Sequence, residues 1–144
     1  MIKNKATFYI LSFTWGIIMT LLGVVTTIAL LIACHKPKKW GHGWYFELDE
    51  SDTWGGFNLG PMFVVSKGAS EHTKNHEFGH GLQNCKYGLL TPLIVHIPSF
   101  IRFWYREFKY YKRGLEPTTA YDDAWYEGEA SKLGTEFMNL YNTK

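Results

Sequence analysis

The chain has 144 residues with a formal net charge of +2 at pH 7, and 46% of its residues are hydrophobic. This length allows one small folded domain with a modest core. So small a net charge does not favour an acidic polymer partner, and we expect no nucleic-acid binding. The two cysteines, Cys34 and Cys85, are too few for a disulfide framework and leave the redox compartment open.

The first predicted element is a transmembrane helix, because residues Ala6 to Cys34 form 29 consecutive positions without a charge. About 20 apolar residues suffice to cross the hydrocarbon core of a bilayer. We therefore expect an N-terminal membrane segment over residues 1–34 and a folded domain over residues 35–144. All 13 acidic residues lie in the second part. The predicted location is a membrane, crossed once.

The orientation of this segment stays open, since Lys3 and Lys5 before it nearly balance the three lysines among residues 35–39. The sequence Leu-Ile-Ala-Cys at residues 31–34 also resembles a bacterial lipobox, in which Cys34 would be lipidated after cleavage. A cleaved signal has a shorter apolar region, of about 7–15 residues. The length of the segment therefore favours an uncleaved anchor over the lipoprotein alternative.

Two strands are predicted next, over Gly43–Leu48 and Gly56–Val65, which are rich in aromatic and β-branched residues. Pro61 cannot donate a hydrogen bond to a neighbouring strand, so we expect the second strand at the edge of a sheet. An edge strand beside a catalytic helix can pair with the backbone of an extended substrate. A hairpin that only packs on the core is the alternative.

The most specific motif is the sequence His-Glu-Phe-Gly-His at residues 76–80, within a helix predicted over Glu71–Lys86 and ending at Gly88. Two histidines four residues apart lie on the same helix face, so both imidazoles can bind one zinc ion. The glutamate between them, Glu77, is the candidate general base for a zinc-bound water. The motif therefore predicts the hydrolytic centre of a zinc metallopeptidase.

A second membrane-facing element is predicted over residues 89–113. Its first part, Leu89–Ile101, is apolar but too short to span a bilayer and is interrupted by two prolines, which is typical of a re-entrant or interfacial segment. An amphipathic helix follows. Its basic stripe is Arg102, Arg106, Lys109 and Arg113, and its apolar stripe is Ile101, Trp104, Tyr105, Phe108 and Tyr111. The alternative is a helix that packs its apolar face on the core and exposes its basic face to solvent.

A zinc ion held by two histidines needs a third protein ligand, and the best candidate is Glu127 in a helix predicted over Thr118–Tyr141. Small residues share its helix face and would let this helix approach the motif helix closely: Ala130, Ser131 and Gly134. Glu129 lies about 200° around the helix from Glu127 and is the weaker candidate. His72 is a rival ligand one turn before His76.

These residues resemble the gluzincin branch of the zincin metallopeptidases, in particular the membrane-embedded CAAX-prenyl-protease and HtpX-like group. The pattern of that group is H-E-x-G-H with a later Glu-x-x-Ala-Asp. The chain is also similar to small uncharacterised bacterial membrane proteins with three short segments in common. Here these segments are Asn-His-Glu-Phe-Gly-His at residues 75–80, Leu-Gln at 82–83 and Ile-Pro-Ser at 97–99.

The resemblance implies that His76, His80 and Glu127 are zinc ligands and that Glu77 is the catalytic base. It covers the two metal-binding helices, and the chain departs from the larger group at Ser131. That group has an aspartate at this position, which normally helps to orient the site.

The sequence therefore predicts an α+β fold, in which an N-terminal transmembrane helix precedes a minimal zincin-like domain of a short hairpin and metal-binding helices. The predicted function is a membrane-anchored, zinc-dependent metallopeptidase that hydrolyses peptide bonds by glutamate-assisted attack of zinc-bound water. His96, Tyr121 and Tyr126 are candidates for stabilising the oxyanion. Expected partners are the lipid bilayer and a peptide or protein substrate that is itself membrane-associated.

Two other functions remain open at this point. One is a non-catalytic membrane scaffold or interaction protein in which a structural zinc ion fastens two helices together. The other is a domain that works only with a partner chain, as a homo- or hetero-oligomer, because the 110 residues of 35–144 leave little room for a complete substrate cleft. Glu77 separates the first alternative from a peptidase, since a structural zinc site has no use for a general base.

Overall fold

The computed structural model describes residue 2, residues 4–49 and residues 55–143, and within these ranges the fold is α+β. The helices are α1 (Lys5–Phe13), α2 (Ile17–Ile32), α3 (Glu71–Tyr87), α4 (Ile97–Lys109) and α5 (Trp125–Asn142). The strands are β1 (Lys38–Trp40), β2 (Gly43–Leu48), β3 (Gly56–Leu59) and β4 (Met62–Ser66). Short 3-10 turns cover Gly88–Leu90, Tyr111–Arg113 and Tyr121–Asp123, and a π-helical turn covers Pro92–His96.

The strands form a mixed sheet in the order β1-β2-β4-β3, in which β2 and β4 are parallel and the outer pairs are antiparallel. The predicted strand Gly43–Leu48 is confirmed as β2. The single strand predicted over Gly56–Val65 is wrong, because Gly60, with φ +70°, and Pro61 turn the chain back between β3 and β4. Consequently β3 is one of the two end strands of the described sheet, with β1 at the other end, whereas β4 lies inside the sheet.

Helices cover both faces of the sheet. On one face Tyr45, Phe63 and Val65 pack with the inner surfaces of α1, α3 and α5, where Phe78 and Phe137 belong to the same buried cluster. On the other face the smaller cluster of Phe46, Met62 and Val64 packs against α2. The metal-motif helix α3 therefore lies in the middle of the domain, between the sheet and α5.

The single helix predicted over Ala6–Cys34 is not formed, since α1 and α2 meet at 97°. The break is held from inside the domain: the Asn84 side chain donates to the Gly16 carbonyl at 3.1 Å, and Thr20 donates its hydroxyl to the Ser12 carbonyl at 2.7 Å. Within the described residues, no one helix combines the length and hydropathy that a membrane span requires, while α1 and α2 meet that requirement only as a bent pair.

The first helix also belongs to the core, because Phe8 is fully buried in the same cluster as Phe78. The predicted division of the chain at residue 34 stays a prediction. The outer side of α2, by contrast, is apolar and exposed, with Leu21, Leu22, Val25, Ile28 and Ile32 all at least half open to solvent.

Helix α4 directs Arg102 and Arg106 toward the turn before α5 and leaves Ile101, Tyr105 and Phe108 more than half exposed. Arg106 is only 8% exposed, and the Arg102 and Arg106 guanidinium groups donate to the Ala120 and Thr119 carbonyls at 2.9 and 2.8 Å. Both guanidinium groups also lie over the Tyr121 ring, at 5.7 and 5.5 Å from its centre. The alternative of a helix packed by its apolar face, with a basic face in solvent, is therefore wrong.

Candidate metal centre

The site lies where α3 and α5 cross. Helix α3 begins after Ser70, whose hydroxyl accepts from the Thr73 backbone N–H, and ends at Gly88 with φ +59°, as the sequence predicts. Helix α5 begins at Trp125, seven residues later than predicted, because Arg102 and Arg106 hold the Tyr121–Asp123 turn against α4.

Three ligand atoms from these two helices converge at one point. The His76 Nε2 and His80 Nε2 atoms each lie 3.2 Å from Glu127 Oε2, and the two nitrogens are 3.2 Å apart. Ligand atoms of a tetrahedral zinc ion, each bound at about 2.0–2.1 Å, are separated by about 3.3 Å. The three predicted ligands therefore have the spacing that zinc requires, and the group could hold a metal ion.

The protonation of His76 follows from its hydrogen bonds. Ser131 donates its hydroxyl proton to Asp122 Oδ2 at 2.7 Å, since the carboxylate can only accept. The same hydroxyl oxygen lies 2.8 Å from His76 Nδ1, so it must accept the proton of Nδ1. In its neutral form, the imidazole therefore carries its proton on Nδ1, and Nε2 has a lone pair directed at Glu127.

The tautomer of His80 also follows from its hydrogen bonds. The Gln83 amide nitrogen donates to the Tyr126 carbonyl and to Glu129 Oε2, both at 2.8 Å, which identifies that end of the amide as the NH₂ group. Its oxygen therefore faces His80 Nδ1 at 2.8 Å and accepts the Nδ1 proton. His80 Nε2 consequently also presents a lone pair to the centre of the group.

The two Nε2 atoms and the Glu127 carboxylate thus converge at a buried site. Both Glu127 oxygens are buried and make no hydrogen bond of acceptable geometry to the described residues. Burial raises the pKa of the Glu127 carboxyl, but when no metal is bound, protons on His76 and His80 hold that pKa well below its usual range. Protonating both Nε2 atoms would press two N–H groups together at 3.2 Å. A bound cation satisfies all three groups, so their chemistry fits a metal ion such as zinc.

Glu77 is buried beside the ligands but is not one of the three convergent groups. A Cβ built on Gly56 of β3 would lie 3.0 Å from its Oε1 atom, so the carboxylate lies against the edge strand. Burial raises the pKa of the Glu77 carboxyl, and the neighbouring His76 and His80 lower it less. The Asn58 side chain fixes the backbone here by donating to the Glu77 carbonyl at 2.9 Å.

A cleft of about 1050 Å³ opens onto these groups. Its walls come from β3, from the inner side of α4 and from the Tyr121–Asp123 turn, with Met19 of α2 also contributing. Phe57, Phe100, Phe103 and Trp104 give it large apolar surfaces. Strand β3, at one end of the described sheet, therefore lines a cleft that also contains His76 and Glu77.

The structure separates the remaining candidates. His72 is mostly exposed, with Nε2 3.8 Å from Asp122, and is not part of the convergent group. Glu129 binds Gln83, Lys86 and Tyr87 on the other side of α5. Tyr126 supplies its backbone carbonyl to Gln83 and does not line the cleft.

Two of the predicted oxyanion candidates do line the cleft. His96 has its ring centre 6.0 Å from that of His80, and burial lowers the pKa of its imidazole to about 3, so it is neutral near pH 7. Its Nε2 atom is buried without a hydrogen-bond partner among the described residues. The Tyr121 hydroxyl lies 3.2 Å from that of Ser99, and burial raises its pKa.

Reasoning from the sequence missed the roles of Asp122 and Gln83. Gln83 follows His80 by three residues, so helical spacing alone places both on one face and could have suggested the contact. Asp122 gave no such signal, because it meets Ser131 only through the 3-10 turn before α5.

Comparisons with protein-family models, with curated proteins and with solved structures found no match to this chain.

Proposed function

We propose that this protein is a membrane-associated, zinc-dependent metallopeptidase of the gluzincin type. The observation that carries the proposal is the group of His76, His80 and Glu127. Their three ligand atoms lie 3.2 Å from one another, and the hydrogen bonds of both histidines leave their Nε2 lone pairs free for a metal ion. Zinc held by these groups supplies a Lewis acid that makes water acidic enough to lose a proton near neutral pH.

The residues around the ligands have the chemistry that peptide hydrolysis needs. Glu77 has a buried carboxylate beside the ligands, and its raised pKa suits a group that accepts a proton from water and passes it to a leaving amine. His96 is neutral and can donate a hydrogen bond to an oxyanion through its unpaired Nε2 atom when the proton is on that nitrogen. The hydroxyl group of Tyr121 is a second hydrogen-bond donor in the same cleft.

The cleft suits an extended polypeptide with apolar side chains. Strand β3 is the last strand of the described sheet and lines the cleft beside Glu77, which is where we propose that an extended substrate pairs through its backbone. The aromatic side chains of Phe57, Phe100 and Phe103 provide apolar surface for its side chains. We therefore propose a peptide or unfolded protein substrate, bound in extended form.

The proposed membrane contact rests on two exposed apolar surfaces. One is the outer side of α2. The other runs from the 3-10 turn after α3 along α4, where Leu93, Ile97, Ile101 and Phe108 are all about half exposed or more. No acidic residue occurs between residues 1 and 46 or between 78 and 106, so both surfaces combine apolar residues with basic neighbours. This combination fits the interface of an anionic bilayer.

The proposal is tested by measuring zinc content and peptide cleavage together. Purified wild type should hold one zinc ion per chain and cleave an unfolded protein such as casein in detergent. His76→Ala and Glu127→Ala should lose both zinc and activity. Glu77→Gln should keep zinc and lose activity, by about 10²-fold or more, because only the proton acceptor is removed.

Glu71→Gln is the matched control, since it changes an exposed carboxylate at the start of α3 that lies outside the ligand group and does not line the cleft. It should retain both zinc and activity. Zinc without activity in the wild type would favour the structural-zinc scaffold instead. Absence of zinc from the wild type would exclude a zinc peptidase altogether.

A further inference from the structure

In each of the two proposed histidine ligands, the Nδ1 atom is hydrogen-bonded to a neutral side chain. Each of these neutral side chains is in turn hydrogen-bonded to a carboxylate. His76 contacts Ser131, which donates to Asp122. His80 contacts Gln83, which donates to Glu129. One chain of contacts leads to the turn before α5, and the other leads through Glu129 to Lys86 and Tyr87 at the end of α3.

We propose that Asp122, acting through Ser131, positions the His76 ligand and takes the place of a carboxylate bound directly to that histidine. The inference rests on the proposed metal site, but not on peptidase activity. Glu129, acting through Gln83, does the same for His80. Asp122 and Glu129 are therefore positioning residues, since neither contacts the convergent ligand atoms.

The geometry supports a relay through Ser131 over direct contact. Asp122 Oδ1 lies 3.9 Å from His76 Nδ1, which is too far for a hydrogen bond, whereas both bonds of the Ser131 hydroxyl are 2.8 Å or shorter. A serine hydroxyl can accept one proton while donating its own. The carboxylate thus strengthens Ser131 as an acceptor, which fixes the imidazole plane and makes Nε2 a better ligand.

Gln83 performs the equivalent task with an amide. Its side chain is completely buried, and all three of its hydrogen bonds are 2.8 Å long. Glu129 is held in turn by Lys86 and by the Tyr87 hydroxyl, the latter at 2.7 Å. Because the amide cannot rotate without losing its bonds to Glu129 and Tyr126, its oxygen stays directed at His80.

The test measures zinc affinity of the full chain by competition with a chromophoric chelator, together with the thermal stability of the zinc-free form. Asp122→Ala, Ser131→Ala and Glu129→Ala should each weaken zinc binding by about 10–100-fold. Asp123→Ala and Glu136→Ala are matched controls, because each removes one exposed carboxylate from the same turn or helix. Both controls should bind zinc as the wild type does.

A rescue experiment separates positioning from general destabilisation. Adding Ser131→Asp to Asp122→Ala places a carboxylate next to His76. The double variant should bind zinc at least 10-fold more tightly than Asp122→Ala alone. If Asp122→Ala lost zinc affinity only because the domain was destabilised, the added carboxylate would not restore that affinity. Ser131→Ala removes a single oxygen, so it still tests the relay if Asp122→Ala does not fold.

Equal zinc affinity in Asp122→Ala and Asp123→Ala would overturn the relay while leaving the metal site intact. Failure of Ser131→Asp to restore binding in a folded double variant would also overturn it. A wild type that binds no zinc would instead overturn the metal site itself, and the relay with it. The two failures are therefore distinguishable.

Discussion

Gly79 of α3 and Ala130 of α5 lie so close that a Cβ built on the glycine would be 1.9 Å from the Ala130 carbonyl oxygen. The contact is reciprocal, because a Cβ on Gly134 would lie 1.8 Å from the Asn75 carbonyl oxygen. The glycine within the metal motif is therefore required by packing between helices. This close approach of the two helices allows the side chain of Glu127 to reach both histidines.

Replacing Gly79 by alanine should separate the two helices at the metal centre. The new methyl group meets backbone atoms, which cannot rotate away, so we expect the free energy of unfolding to fall by about 1–3 kcal/mol. Zinc affinity should fall as well, since Glu127 moves with α5. Urea denaturation and chelator competition measure the two effects.

Gly55→Ala provides the comparison for this variant. Among the described residues its methyl group would have its nearest neighbour at 3.8 Å, an ordinary contact, so the free energy of unfolding should change by less than about 0.5 kcal/mol. If Gly79→Ala were as stable as Gly55→Ala, the close approach of α3 and α5 would be contradicted.

Removing the metal should lower the stability of the domain. A ligand that binds only the folded state at 100 times its dissociation constant stabilises that state by about 2.7 kcal/mol. For a chain of this size we expect EDTA to lower the Tm by about 8–10 °C, and added zinc to restore it. Glu77→Gln should show the same shift, because it keeps all three ligands.

His76→Ala should show no shift with EDTA, since one ligand is already lost. A shift of equal size in this variant would mean that EDTA acts elsewhere in the protein. The Tm is measured by differential scanning fluorimetry in detergent. The wild type, Glu77→Gln and His76→Ala are compared at one zinc concentration.

The convergence of His76, His80 and Glu127 was largely predictable because its sequence signals are local. Helical spacing places His76 and His80 on one face in any sequence context, and the N-terminal Ser70 and C-terminal Gly88 fix where that helix begins and ends. Glu127 required only one further step, namely that small neighbours on its helix face allow a close approach to α3.

The N-terminal segment was not predictable in the same way. Its hydropathy indicates a continuous helix, but the side chain that holds the break, Asn84, is 68 residues away from Gly16 in sequence. Such a contact exists only after the domain has folded. The late start of α5 has a similar cause, because Arg102 and Arg106 from α4 determine the conformation of residues 119–121.

Arg106 should influence zinc binding although it lies outside the ligand group. It holds the turn that carries Asp122, through the Thr119 carbonyl and the Tyr121 ring. Arg106→Gln removes the cation–π contact and leaves this turn less restrained, so stability should fall by about 1–3 kcal/mol. Zinc affinity should fall up to 10-fold if Asp122 acts as we propose.

A double-mutant cycle shows whether this effect passes through Asp122. In an Asp122→Ala background, Arg106→Gln should cause no further loss of zinc affinity. Lys109→Gln, which changes an exposed basic residue of the same helix, should have no effect in either background. Additive losses would show that Arg106 acts on the ligands by another route.

The exposed apolar side of α4 should bind anionic membranes. Ile101 is 61% and Phe108 is 54% exposed, and neither lines the cleft, so both can be changed without altering the metal centre. Burying a side chain of this size contributes about 1.5–3 kcal/mol. Ile101→Glu and Phe108→Glu should therefore each weaken partitioning of the full chain into vesicles of anionic phospholipid by about 10-fold or more.

Lys132→Gln is the charge-matched control, because it also lowers the net charge by one but lies on the exposed side of α5. Sedimentation with vesicles should give the same partition coefficient for this variant as for the wild type. If Ile101→Glu also partitioned like the wild type while keeping its zinc, α4 would not enter the bilayer. The cleft would then not open toward lipid, and the proposal of a membrane-associated substrate would have to be abandoned.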